Sequence, residues 1–186
     1  MASQHRKVVI FSMRIAGIER ESFVDGEGIR YVIFTQGCTH HCKGCHNPQT
    51  WDFNGGKEIS IDELLKDFEK NKDLLDGITL SGGDPLYQPY DTACFILAFK
   101  ERYPDMTIWL YTGYTIEQMI EEIEKYHDWD NFNILENIDM LVDGPFILEQ
   151  RDLSLNFRGS SNQRLIDKET IQKYLEPVIK KIEERD

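Results

Sequence analysis

The sequence predicts an α/β fold with a mostly parallel sheet, on two observations. Short apolar runs of strand-forming residues alternate with segments whose apolar residues recur at helical spacing. That order builds parallel strands joined by right-handed helical crossovers. In addition, four glycine-bearing turns each follow a strand directly: Gln36-Gly37-Cys38, Ser81-Gly82-Gly83-Asp84, Thr112-Gly113 and Asp143-Gly144-Pro145. In a parallel sheet such turns share the rim beyond the strands' carboxyl ends, where ligands bind. Any one of them is ordinary turn chemistry. Four on one rim, the first carrying a cysteine cluster, point to a site.

Residues 1–7 are polar and predict a frayed end. Val8 to Phe23 alternates apolar and polar residues, the pattern of one or two strands, and Asp25-Gly26-Glu27-Gly28 is a turn into the strand Tyr31–Thr35. Asn54-Gly55-Gly56 makes the next turn. Ser60 with Glu63 forms a capping box ahead of Ile61, Leu64, Leu65 and Phe68. Gly77–Leu80 reads as a buried strand. A helix follows from about Pro89 to Arg102, with Tyr90, Ala93, Cys94, Leu97 and Ala98 as its expected inward stripe. Thr107–Tyr111 is a third strand. Thr115 and Gln118 open a helix whose apolar face is Ile116, Met119, Ile120 and Ile123. His127–Asn137 reads as a loop and Asp139–Val142 as a fourth strand. A polar run, Arg158 to Arg164, precedes a final helix built on Ile171, Leu175, Val178 and Ile182, which Pro177 is expected to kink.

The 186 residues suit one domain, with a core over about 8–166 and a closing helix over about 168–184. A formal net charge of −12, spread along the chain, repels phosphate backbones and anionic lipid, which argues against nucleic-acid or membrane partners. No apolar run is long enough to span a bilayer, and Val8–Phe11 is too short for the centre of a signal peptide. The expected compartment is cytoplasmic, where thiols stay reduced.

Cys38, Cys42 and Cys45 are separated by three and then two residues, so one tight loop gathers three thiols; Cys94 lies far downstream in an apolar run and reads as a core residue. Electron-transfer clusters are closed by four cysteines. Three without a fourth suit a cluster that leaves one iron open. A structural zinc site is the alternative, with His40, His41 or His46 as fourth ligand, but the chain lacks the second knuckle such sites pair with. A disulfide framework does not fit a chain of this kind.

With these residues in place, the chain resembles the radical S-adenosylmethionine superfamily, whose mark is C-x3-C-x2-C. Within it, the chain is similar to the activating proteins of anaerobic ribonucleoside-triphosphate reductases. The likeness runs through Asp25–Arg30, Gly44-Cys45-His46-Asn47, Leu80–Leu86, Trp109–Tyr114, Val142-Asp143-Gly144 and Arg158–Gln163. Two positions depart from the wider superfamily. Gly44 stands where an aromatic residue is common, and Asp84 where the glycine-rich motif usually ends in glutamate.

The resemblance implies a partial, open βα barrel and a [4Fe–4S] cluster on Cys38, Cys42 and Cys45, with S-adenosylmethionine chelated at the open iron. It places Gly82, Gly83 and Asp84 at the methionine end, Gly44, Cys45 and His46 along the adenine, and Thr112 and Asp143 near ribose or methionine. Reductive cleavage of the sulfonium would give a 5′-deoxyadenosyl radical that takes hydrogen from a glycine of the reductase's large subunit, with reduced flavodoxin or a similar donor supplying the electron. Three alternatives stand beside it: an activase for another glycyl radical enzyme of the pyruvate formate-lyase type, a small-molecule radical enzyme such as a deazaguanine synthase, and a zinc-stabilised binding module.

Overall fold

The computed structural model describes residues 11–184. The frayed segment 1–7, and the Val8–Ile10 part of the first expected strand and core, lie outside the described residues. Seven strands form one sheet: β1 (Ser12–Ser22), β2 (Arg30–Thr35), β3 (Lys57–Ser60), β4 (Gly77–Gly82), β5 (Thr107–Tyr111), β6 (Met140–Asp143) and β7 (Arg164–Asp167), in the order β3-β1-β2-β4-β5-β6-β7. The four central strands β2, β4, β5 and β6 run parallel. β1 and β3 add antiparallel to one side and β7 to the other. The sheet is open, with β3 and β7 at its edges.

Among the described residues five α-helices accompany it: α1 (Ile61–Glu69), α2 (Pro89–Arg102), α3 (Ile116–Tyr126), α4 (Trp129–Asn137) and α5 (Lys168–Glu183). Both expected capping boxes form, at Ser60/Glu63 and Thr115/Gln118. Two expectations need correction. The segment expected as a loop over 127–137 contains α4, because the Asp128 carboxylate accepts from Asn131 N–H at 3.1 Å and Ile134 and Leu135 are buried. Packing there overrides the weak helix propensity of its asparagines. On α2 the buried residues are Thr92, Ala93, Phe95, Ile96 and Phe99, whereas Tyr90 and Leu97 are exposed, so the inward face is rotated from the expected stripe and Cys94 sits at its margin. Pro177 lies inside α5, whose helix continues on both sides of it.

Strand register sorts side chains to two faces. Met13, Ile15, Tyr31, Ile33, Ile78, Leu80, Ile108, Leu110, Leu141 and Ile166 pack with the helices in one core. The alternate residues, Arg30, Val32 and Phe34 on β2, Thr79 and Ser81 on β4, and Trp109 and Tyr111 on β5, belong to the opposite face. Loops cover that face: Thr79 Oγ1 donates to Asp25 O at 2.8 Å, and Phe157 packs edge-on against Trp109 at 5.3 Å. At the amino ends of the strands it is closed by Arg30, which is fully buried. The Arg30 guanidinium donates to Thr79 Oγ1, to both Oγ1 and O of Thr107, and to Ile78 O, and lies 5.9 Å from the Trp109 ring centre. At the carboxyl ends the same face opens into a cavity.

Candidate active site

The cysteine loop leaves β2 at Thr35 and returns through Thr50 and Trp51, which are tied to it by Gly37 N–H to Thr50 O at 2.7 Å and Cys38 N–H to Trp51 O at 3.3 Å. Between these anchors the chain must turn twice. His41 and Gly44, each immediately before a cysteine, have φ of 47° and 77°. Cys45 N–H donates to Cys42 O at 3.0 Å, closing a turn whose third residue, Gly44, takes the left-handed conformation that glycine adopts without cost. The two reversals bring all three cysteines to one cavity.

That cavity, of about 530 Å³, lies on the helix-free face at the carboxyl ends of β2, β4 and β5. Cys38, Cys42, Cys45, His46, Gly82, Gly83 and Thr112 line it, as do Phe34, Ser81 and Tyr111 from the strands. The far wall comes from the segment after β6, through Phe146, Phe157 and Arg158. Its size is that of a small-molecule site, larger than one ion needs. Burial pushes the Cys38 thiol up to about 11 and raises that of Cys42. Metal binding must therefore displace protons as well as water.

Three further residues expected at the site sit just outside the cavity lining. Gly44 faces the Leu148 side chain. Asp84 is 1% exposed and accepts from Leu86 N–H, Gly113 N–H, Thr112 Oγ1–H and the His40 ring. Asp143 is fully buried, accepting from Ile116 N–H at 2.9 Å and paired with Arg164, which also grips Glu117.

The run 158–164 fastens the far wall. Gln163 Oε1 accepts from Gly159 N–H at 2.9 Å, its Nε2 donates to Gly144 O at 3.1 Å, and Asn162 Nδ2 donates to Pro145 O at 2.8 Å. Tyr111, whose phenol burial keeps protonated, donates to Phe157 O at 2.8 Å. Phe157 itself has φ of 59°, an uncommon conformation for a bulky residue. Sequence reasoning missed Phe146, Phe157 and Tyr111 as wall residues. No local signal marks them, since the segment 147–156 between the two phenylalanines mixes apolar and polar residues without a period.

The donor set fits a cluster better than an ion. Cys38, Cys42 and Cys45 all line one cavity large enough for more than a single ion, which suits a cluster in which each thiolate takes its own iron. The zinc alternative needed a histidine at the same point. His40 and His46 both line the cavity, but His40 is bonded to Asp84 and His46 lies beside Phe146 at 5.6 Å, while the His41 ring packs on Trp51 at 4.7 Å.

Three thiols on one cavity at the carboxyl rim of an α/β sheet define a protein of the single-cluster iron–sulfur class. A family model described as a 4Fe-4S single cluster domain matches residues 24–166. The anaerobic ribonucleoside-triphosphate reductase-activating protein of Haemophilus influenzae is 38% identical over 146 residues, covering 75% of this chain and 88% of that one. The protein of the same description from Escherichia coli K12 is 34% identical over 145 residues, 75% of this chain and 89% of its own, and that of bacteriophage T4 35% over 148, 77% and 86%. Among solved structures, QueE from Escherichia coli overlaps 55% of this chain and 53% of its own at 15% identity, with a TM-score of 0.41. The chain belongs to the family of anaerobic ribonucleoside-triphosphate reductase-activating proteins.

Proposed function

We propose that this chain activates an anaerobic ribonucleoside-triphosphate reductase by generating a glycyl radical on its large subunit. The observation that carries the reading is the placing of three thiols, with no fourth cysteine beside them, on one open cavity. Cys38, Cys42 and Cys45 hold a [4Fe–4S] cluster with one iron left to S-adenosylmethionine. When bound and reduced by the external donor, the cluster would supply a low-potential electron to the sulfonium of S-adenosylmethionine, giving methionine and a 5′-deoxyadenosyl radical, the species that abstracts hydrogen.

The rest of the work is positional. Gly82 and Gly83 present backbone to the methionine end, and Cys45 and His46 flank the adenine, with Gly44 acting through the turn it makes. Thr112 faces the ribose side. Asp84 and Asp143 act from beneath by fixing the rim. Phe146, Phe157 and Tyr111 line the cavity with apolar surface that keeps the radical from solvent. The open sheet, read as a partial βα barrel, leaves a side through which a glycine loop of the reductase can enter.

The whole chain works as one domain. The electron comes from reduced flavodoxin or a similar donor, and the setting is the cytoplasm. Among the described residues no helix is long and apolar enough to cross a membrane.

The test is an anaerobic mixture of reconstituted protein, reductant, S-adenosylmethionine and the reductase. The expected result is 5′-deoxyadenosine together with a glycyl doublet in electron spin resonance. Formation of 5′-deoxyadenosine with no doublet on the reductase would overturn the assignment of substrate.

A further inference from the structure

We propose that His40 and Asp84 are positioning residues that latch the cysteine loop to the carboxyl ends of β4 and β5, holding a carboxylate beside the cluster site. The inference rests on the reading of Cys38, Cys42 and Cys45 as cluster ligands.

The geometry begins with how Asp84 is used. Its Oδ2 accepts three bonds, from the His40 ring at 2.8 Å, Thr112 Oγ1–H at 2.9 Å and Gly113 N–H at 2.9 Å, and its Oδ1 accepts from Leu86 N–H at 3.0 Å. A carboxylate offers about four lone-pair sites, two on each oxygen. Oδ2 thus carries three of the four bonds, in a residue only 1% exposed. Asp84 lies among the rim turns as a hub, joining the loop before β4's helix, the turn after β5 and the cysteine loop.

His40 is the loop's part of that joint. Its ring packs edge-on against Tyr114 at 4.7 Å and Tyr87 at 5.7 Å, and those two phenols bond each other at 2.9 Å. Thr39 Oγ1 also bonds the Tyr87 hydroxyl. The ring lies so close over Gly113 that a Cβ there would sit 2.6 Å from it. A histidine two residues after the first ligand and two before the second is thus bonded below and wedged on three sides. It converts a loop without ladder hydrogen bonds into one whose thiols are placed before metal arrives, the general requirement for a precise site.

The test compares His40→Ala, His40→Gln and Asp84→Asn with wild type after anaerobic reconstitution, using iron release to a chelator and the cluster's midpoint potential. His40→Ala is expected to release iron about tenfold faster, the weight of one hydrogen bond to a charged group. His40→Gln keeps an N–H donor and should stay within about twofold of wild type. Asp84→Asn removes the charge and should move the potential in the positive direction. Wild-type iron release from His40→Ala, with an unmoved potential in Asp84→Asn, would overturn the latch, provided circular dichroism finds both folded. If Asp84→Asn does not fold, the alanine and glutamine variants of His40 decide alone: equal release rates refute it. A wild-type protein that takes up no cluster would instead remove the underlying reading of the cysteines.

Discussion

The two ends of the parallel strands hold comparable amounts of buried polar chemistry and use it differently. At the amino ends, Arg30 is enclosed, and its donors meet Thr79, Thr107 and Ile78 with the Trp109 ring alongside. Burial lowers its pKa to about 10, so it remains charged at neutral pH, inside an arrangement with no opening. At the carboxyl ends, Asp84 and Asp143 are as deeply buried and as fully bonded, but they support a wall on which three thiols stand unpaired. The difference teaches where function sits in this fold. Satisfied polar groups at one end hold the sheet together, whereas at the other they frame groups left free to react, the general division between the two faces of parallel α/β sheets.

The sharpest way to break the comparison is at the thiols. Cys42→Ser should reduce cluster content and radical formation to background while the unfolding free energy of the apo protein in urea changes by no more than about 1 kcal/mol. Cys94→Ala, on the margin of α2, should leave the iron content as it is; a loss of iron there would mean that the far cysteine takes part. Arg30→Met should do the reverse of Cys42→Ser. It should cost about 3 kcal/mol in urea unfolding, because several buried acceptors lose their donor. Radical yield per folded molecule should be unchanged. If Arg30→Met instead lost radical yield at full stability, the amino end would have a part in the chemistry.

A smaller effect distinguishes the rim's outer edge from its buried hub. Arg164 holds the Glu117 carboxyl down to about 2 from an ordinary 4.5. A depressed acid contributes stability that is complete above its unfolded value and fades as pH falls from about 4.5 toward 2. Glu117 is half exposed, so solvent screening keeps the contribution below about 1 kcal/mol. Urea midpoints measured between pH 5 and pH 2 should fall less steeply for Glu117→Gln than for wild type, and equal slopes would remove the pair from the acid response.

Much of this was legible in the sequence because its signals are local. The parallel strands, the capping boxes at Ser60 and Thr115 and the C-x3-C-x2-C loop each announce themselves within a few residues. The fold's sides were harder. β3 and β7 are four-residue strands whose pairing partners lie far along the chain, and α4 is helical mainly because Ile134 and Leu135 have somewhere to be buried. The same holds for the site. Cys38, Cys42 and Cys45 could be picked out by spacing, but the partnership of His40 with Asp84 spans 44 positions and joins two turns that only the sheet brings together. Phe146 and Phe157 were invisible for the same reason. Nothing in their neighbourhood says which wall they will form.

The central claim is that three protein thiolates leave one iron free for S-adenosylmethionine, and the most direct measurement is the electron spin resonance spectrum of the reduced, reconstituted protein with and without that compound. The account predicts a four-iron cluster whose signal changes shape when S-adenosylmethionine is added. An identical spectrum in both samples, from a cluster ligated on every iron by the protein, would contradict it.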